Sequence, residues 1–277
     1  MPGGPRVALA TCAPLPEGDA DDAGLPEALG AEFRVWDDPG VDWDAYNLVV
    51  VRSTWDYQRQ RDAFLAWAQR VGDRLVNPPD VLRWNTDKRY LAQLPRTVPT
   101  AFLEPGAPLP ALDAEVVLKP TVSAGSRDTA RFRPGEEERA AALLAAIHAS
   151  GRTAMVQPYV ASVDERGETA LLFFGGSFSH AIRKGPLLRP GADPTADLYA
   201  AEDITARDPA PAERELAEEV LAALPWRDLA YARVDVVEDE GGRPLLLELE
   251  LTEPSLFFAH APAAVQRFAH AVRRVLR

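Results

Sequence analysis

The 277-residue chain has a single cysteine, only four histidines and no apolar run near the length of a membrane-spanning helix. One thiol, Cys12, cannot close an internal disulfide, so a reducing, cytoplasmic setting is expected. No helix N-terminus or basic neighbour activates that thiol, which reads as core. The short apolar stretch at 7–10 gives way at once to proline and acidic residues, unlike a secretory leader. Positive charge is scarce too. Lys and Arg number 30 against 42 Asp and Glu, a formal net charge of −12. That balance argues against nucleic acid and anionic membranes as partners, since both need basic patches. The histidines (148, 180, 260 and 270) lack the spacing of a zinc site. G-x-x-x-x-G-K-S/T is absent, which excludes a P-loop, and the absence of G-x-G-x-x-G weakens a dinucleotide reading.

What is present suggests an enzyme-sized core, with 47% hydrophobic residues. The first part alternates strand and helix. Residues 7–10 and 33–36 read as short strands, and 48–52 is a continuous apolar run of the buried parallel type. An amphipathic helix opens at Asp62, with Phe64, Leu65, Ala68 and Val71 on one face. This unit closes near Asn77-Pro78-Pro79. A polar cap at 85–87 then leads into a short helix carrying Lys88. Beyond a proline-punctuated link come a strand at 116–119, an Ala/Leu-rich helix at 136–150 and a strand at 154–157. The remainder is antiparallel in character. A hairpin turns at Gly175-Gly176, and a Pro/Gly-rich loop expected to be mobile covers 186–194. A helix covers 211–224, and a second hairpin joins 231–238 to 245–251. A closing helix from Pro262 points Val265, Phe268, Val272 and Val275 inward. The expected domains are 1–84 (α/β), 85–157 (a small α+β lid with its lead-in helix) and 158–277 (antiparallel sheet with helices).

The second hairpin is the most informative segment. Alternation puts Arg233, Asp235 and Val237 on one face of the first strand. On the return strand it groups Leu247, Leu249 and Leu251 on one face and Glu248 and Glu250 on the other. Folding about Gly241-Gly242 sets Asp235 across from Glu248 and Arg233 near Glu250. Carboxylates facing each other destabilise a sheet unless a cation intervenes. Magnesium, which takes one or a few carboxylates plus phosphate oxygens, would remove that penalty. A solvated polar face, with Arg233 neutralising one acid, explains the pattern about as well.

Other candidates are individually weaker. Lys88 and Lys119 are flexible point charges suited to anionic oxygen, or plain surface lysines. The small, hydroxyl-bearing loop at 123–127, with Ser123, Gly125 and Ser126, offers backbone N–H groups to a phosphate, or is an ordinary turn. Gln157-Pro158-Tyr159-Val160 is a hinge or a linker. Arg52-Ser53-Thr54-Trp55-Asp56-Tyr57 stands at the carboxyl end of a parallel strand, where open α/β sheets bind ligands.

Taken in order, these pieces resemble the ATP-grasp superfamily, which includes glutathione synthetase and D-alanine–D-alanine ligase. The order is an early Lys, a strand Lys, a small phosphate loop, a hinge, then Arg-x-Asp and an acidic strand. The segments at 52–57, 84–88 and 248–254 look closest to O-ureido-serine cyclo-ligase-like proteins. The resemblance implies ATP and Mg2+ as cofactors. Lys88, Lys119 and the Ser123–Ser126 loop would hold phosphates. Gln157, Tyr159 and Val160 would hold adenine, and Asp164 the ribose. Lys184 would meet the γ-phosphate and Arg233 the transferring phosphoryl group. Asp235, Glu248 and Glu250 would bind metal. Arg52, Ser53, Trp55, Asp56 and Thr252 would face the substrate. The family motif has Asn where this chain has Glu250, and Pro254 falls one position late. The implied activity is a ligase that phosphorylates a small, amino-acid-like carboxylate or carbamoyl substrate and then forms an amide or closes a ring. A homodimer is compatible. The alternatives are a small-molecule kinase and a non-catalytic nucleotide-binding module.

Overall fold

The computed structural model describes residues 4–189, 191–193, 198 and 203–275. Three sheets organise the chain. The first is parallel and runs in the order β2-β1-β3-β4, with β1 at Val7–Thr11, β2 at Ala31–Val35, β3 at Leu48–Val51 and β4 at Leu75–Val76. Helices α1 (Leu25–Leu29) and α2 (Arg61–Val71) make the crossovers. β1 and β3 are buried along their whole length, which explains why they read as unbroken apolar runs. One face carries a cluster of Trp36, Trp43, Phe64 and Trp67; the other packs on the C-terminal half.

The chain then enters α3 (Pro79–Asn85) straight from the expected turn at Asn77-Pro78-Pro79. Pro79 at its first position suits a helix start, where the missing N–H costs nothing. Lys88 sits not in an α-helix but at the start of a 3-10 turn, Lys88–Gln93, whose N-cap is the Asp87 carboxylate. The second sheet runs β5-β8-β6-β7, with β5 at Ala101–Leu103, β6 at Val116–Pro120, β7 at Ala130–Phe132 and β8 at Ala154–Pro158. Helix α4 (Glu137–Ala149) backs it through Leu144 and Ile147, which pack with Leu118 and Phe132.

After the short α5 (Val163–Arg166), the third sheet runs β11-β10-β9-β12-β13 and is antiparallel throughout. Its strands are β9 (Glu168–Phe174), β10 (Ser177–Lys184), β11 (Ile204–Arg207), β12 (Tyr231–Glu238) and β13 (Pro244–Glu250). Gly175 and Gly176 both have positive φ, as the tight turn between β9 and β10 requires. Helix α6 (Pro211–Ala223) covers one face and α7 (Ala264–Val275) the other, where it meets the parallel sheet. Phe268 and Val272 are buried as expected, whereas Val275, in the final turn, is 42% exposed. Part of the 186–194 loop lies outside the described residues.

Buried polar side chains fasten the sheets together. Asn77 donates to the carbonyls of Tyr231 and Leu251 and accepts from Ala230 N–H. Asn85 donates to Leu249 O and accepts from Leu251 N–H and the Thr252 hydroxyl. The parallel sheet thereby fixes the start and end of the β12–β13 hairpin. Among the described residues, no helix is long and apolar enough to cross a membrane.

Candidate active site

A cavity of about 400 Å³ opens where the second sheet leans over the third. Its roof is built by Lys119 on β6, Gln157 at the end of β8, and the loop containing Ser123, Gly125 and Ser126. Gly125 and Ser126 both have positive φ, so the loop turns sharply beside the cavity. Its back is Pro158, Tyr159 and Val160; its floor is Glu168, Lys184, Arg233, Asp235, Glu248 and Glu250.

The floor follows from strand register. Arg233 pairs with Glu250 and Asp235 with Glu248, as alternation anticipates. One expectation fails here. The register slips between Asp235 and Val236, so Val236 faces Leu246 and Leu247 becomes an extra residue. The bulge reverses the phase of β13. Leu246, Leu249 and Leu251 enter the core while Leu247 turns to the cavity with Val237.

Charges on the floor alternate. Lys88 Nζ lies 3.1 Å from Glu248 and donates to Ser123 O at 2.8 Å. Lys119 is 3.7 Å from the same carboxylate. Lys184 lies 2.7 Å from Asp235 and 3.0 Å from Glu168. Arg233 donates to both oxygens of Asp235 at 2.9 Å and reaches Glu250. Burial opposes ionisation of Asp235, but the charges of Arg233 and Lys184 and their hydrogen bonds prevail and hold it down at about 2. Burial dominates at Glu250, which is raised to about 7, with Arg233 only partly offsetting it. Burial and then the charge of Glu250 push Glu253 up to about 8. Lys119 is lowered by burial, against the pull of Glu248.

Among the described residues, no three His, Cys, Asp or Glu side chains are arranged to hold a metal ion by themselves. The expected trio of Asp235, Glu248 and Glu250 is instead bridged by Arg233, Lys184, Lys88 and Lys119. Four of the five substrate-side candidates also depart from expectation. Trp55 lines the cavity, but Arg52, Ser53, Asp56 and Thr252 do not. Arg52 is 2% exposed, pairs with Asp22 at 2.9 Å and donates to Pro254 O. Ser53 bonds Thr11, Asp56 accepts from the Trp36 indole, and Thr252 bonds Asn85. Asp164 is likewise outside the wall, held by Arg131 and the Tyr159 hydroxyl.

Sequence reasoning missed Glu168, and gave no role to Tyr57 and Glu253 within the 52–57 and 248–254 segments it singled out; all three are in the wall. It also missed a compositional signal. The chain has three lysines, Lys88, Lys119 and Lys184, and all three line this cavity, each less than 10% exposed. Every other basic side chain of the Lys/Arg class is arginine.

Residues 7–77 match the model of the D-cycloserine synthetase DcsG N-terminal domain. The cycloserine biosynthesis protein DcsG of Streptomyces lavendulae is 37% identical over 270 residues, 90% of either chain. The chain belongs to the DcsG family of ATP-grasp ligases. The crystal structure of D-cycloserine synthetase DcsG superposes with a TM-score of 0.87 at 37% identity, covering 98% of this chain and 100% of that one. A D-alanine–D-alanine ligase from Bacillus anthracis, complexed with ATP, shares the fold at a TM-score of 0.64 and 14% identity, over 99% and 97% of the two chains. As a DcsG-family member, the protein is an enzyme that uses ATP to form a carbon–nitrogen bond, in an amide or a ring.

Proposed function

We propose that the cavity is the active site, and that it activates a small, amino-acid-like carboxyl or carbamoyl group by phosphorylation before ring closure or amide formation. The observation that carries this reading is the convergence of the chain's three lysines and Arg233, all buried, on one cavity. These four cations pair with the acids of the cavity, and a polyphosphate gives the cluster a ligand of matching charge. Lys88 and Lys119 hold the phosphate chain from above, with N–H groups of the 123–126 loop as further donors. Gln157 and the backbone of Tyr159 and Val160 border the base.

Magnesium fits this donor set. The lining residues include seven carboxylates against four Lys and Arg, and an incoming nucleotide adds more negative charge. Magnesium needs only one or two carboxylates beside phosphate oxygens, so Asp235 and Glu248, with Glu250 beside them, suffice as holders. When bound, the ion neutralises charge on the phosphate oxygens. In the first step a substrate oxygen attacks the γ-phosphorus and ADP departs. Lys184 and Arg233 stabilise charge on the transferring group. In the second step a nitrogen attacks the activated carbon, a carbon–nitrogen bond forms, and inorganic phosphate leaves. The roof formed by β5–β8 keeps water from the activated intermediate.

The test is turnover of Asp235→Asn and Lys119→Ala. The account expects Asp235→Asn to lose ATP turnover while unfolding as cooperatively as the parent. It expects Lys119→Ala to raise the KM for ATP at least about tenfold, the loss of one charged hydrogen bond. Unchanged kinetics in both would remove the cavity from the reaction. Recovery of phosphate together with a new carbon–nitrogen bond, rather than a stable phosphorylated product, separates a ligase from a kinase.

A further inference from the structure

One part of the cavity wall takes no part in holding the nucleotide. Just beyond β13, Glu253 faces the cavity beside Trp55 and Tyr57. The Trp55 indole donates to Glu253 O at 3.0 Å, which ties the ring to the same short segment. The Tyr57 hydroxyl lies beside the Glu253 carboxylate. Tyr57 is buried and its ring stacks on Phe64 at 5.0 Å, so the phenol cannot swing away.

The neighbouring acids are otherwise engaged. Asp21 accepts from the N–H groups of Phe258 and Ala259, and Asp19 caps the turn containing Asp21. Glu250 is taken by Arg233. Among the described residues, Glu253 forms no ion pair. It is therefore a cavity-facing acid beside the Tyr57 phenol, on a segment held by the Trp55 indole. An acid that faces the cavity and has no ion-pair partner suits a cationic group, because the carboxylate attracts positive charge.

We propose that Glu253, framed by Tyr57 and Trp55, seats a primary ammonium group of the small substrate, so that the enzyme selects an amino acid over the corresponding acid without its amine. This rests on the cavity being the active site. Arg233 lies over the Phe257 ring at 5.5 Å, and the group being phosphorylated would lie against it. Anchoring the ammonium at Glu253 would fix which end of the substrate meets the nucleotide.

The experiment compares ADP release with two probes, O-ureidoserine and 3-(ureidooxy)propanoate, the same molecule lacking the amine. The parent enzyme should prefer the amine-bearing probe by about ten- to a hundredfold in kcat/KM, the range expected for a hydrogen bond to a charged group. Glu253→Gln should lose that preference through a raised KM for O-ureidoserine, with the KM for ATP and turnover of the other probe unchanged. Tyr57→Phe should reduce the preference less. Turnover of the amine-free probe serves as the control for folding. Preference retained in Glu253→Gln, or none in the parent, overturns the ammonium seat while leaving the ligase reading standing. No ADP from either probe with the parent enzyme overturns both.

Discussion

At the scale of single residues, Arg52 shows what a linear reading can and cannot see. Its position at the carboxyl end of a parallel strand is legible from the apolar run before it. Its partner is not, because Asp22 is 30 residues away and meets it only after α1 folds back. Both are 2% exposed, so the pair is structural ballast rather than a substrate clamp. Arg52→Ala should destabilise the fold by about 3–5 kcal/mol, the cost of stranding a buried charge. Denaturant unfolding would show it, and a variant as stable as the parent with a raised substrate KM would return Arg52 to the site. Asp235 and Glu248, by contrast, were legible because strand alternation and a glycine turn fix which acids face each other. Glu253 was not, since it lies past the strand end, where no period applies.

At the scale of elements, the β12–β13 hairpin depends on side chains from elsewhere. Asn77 satisfies backbone groups at both of its ends, so Asn77→Ala leaves buried groups unpaired and should cost about 1–3 kcal/mol for each group stranded. Thermal unfolding measures it, and an unchanged midpoint would refute the interlock. The bulge at Leu247 belongs to this scale as well. Simple alternation places Leu247 in the core, and only the slipped ladder turns it outward. β10 carries a pH response. His180 bonds the Leu256 carbonyl, and burial lowers its pKa below 6.5. The unfolded chain therefore binds this proton more readily than the folded one. The contribution is complete above pH 6.5 and is lost as pH falls below it. His180→Gln should flatten the pH dependence of unfolding between pH 5 and 7 (a window set by the ordinary histidine value). A slope as steep as the parent's would assign the response to another group.

At the scale of the molecule, a cavity opens between the second and third sheets, and a chain of overall negative charge gathers all its lysines around it. The order of strands and acidic hairpin was readable because each rests on local pattern. How the second sheet sits over the third was not, because it depends on contacts between distant segments such as Lys88 with Ser123 and Glu248. Having three lysines makes the central claim directly measurable. Selective 13C,15N-lysine labelling should give three side-chain signals in the NMR spectrum, one each for Lys88, Lys119 and Lys184. Adding magnesium and a non-hydrolysable ATP analogue should move all three together along one saturation curve. Nucleotide saturation that leaves the three signals in place would contradict the account, because the phosphate chain would then be bound somewhere other than this cavity.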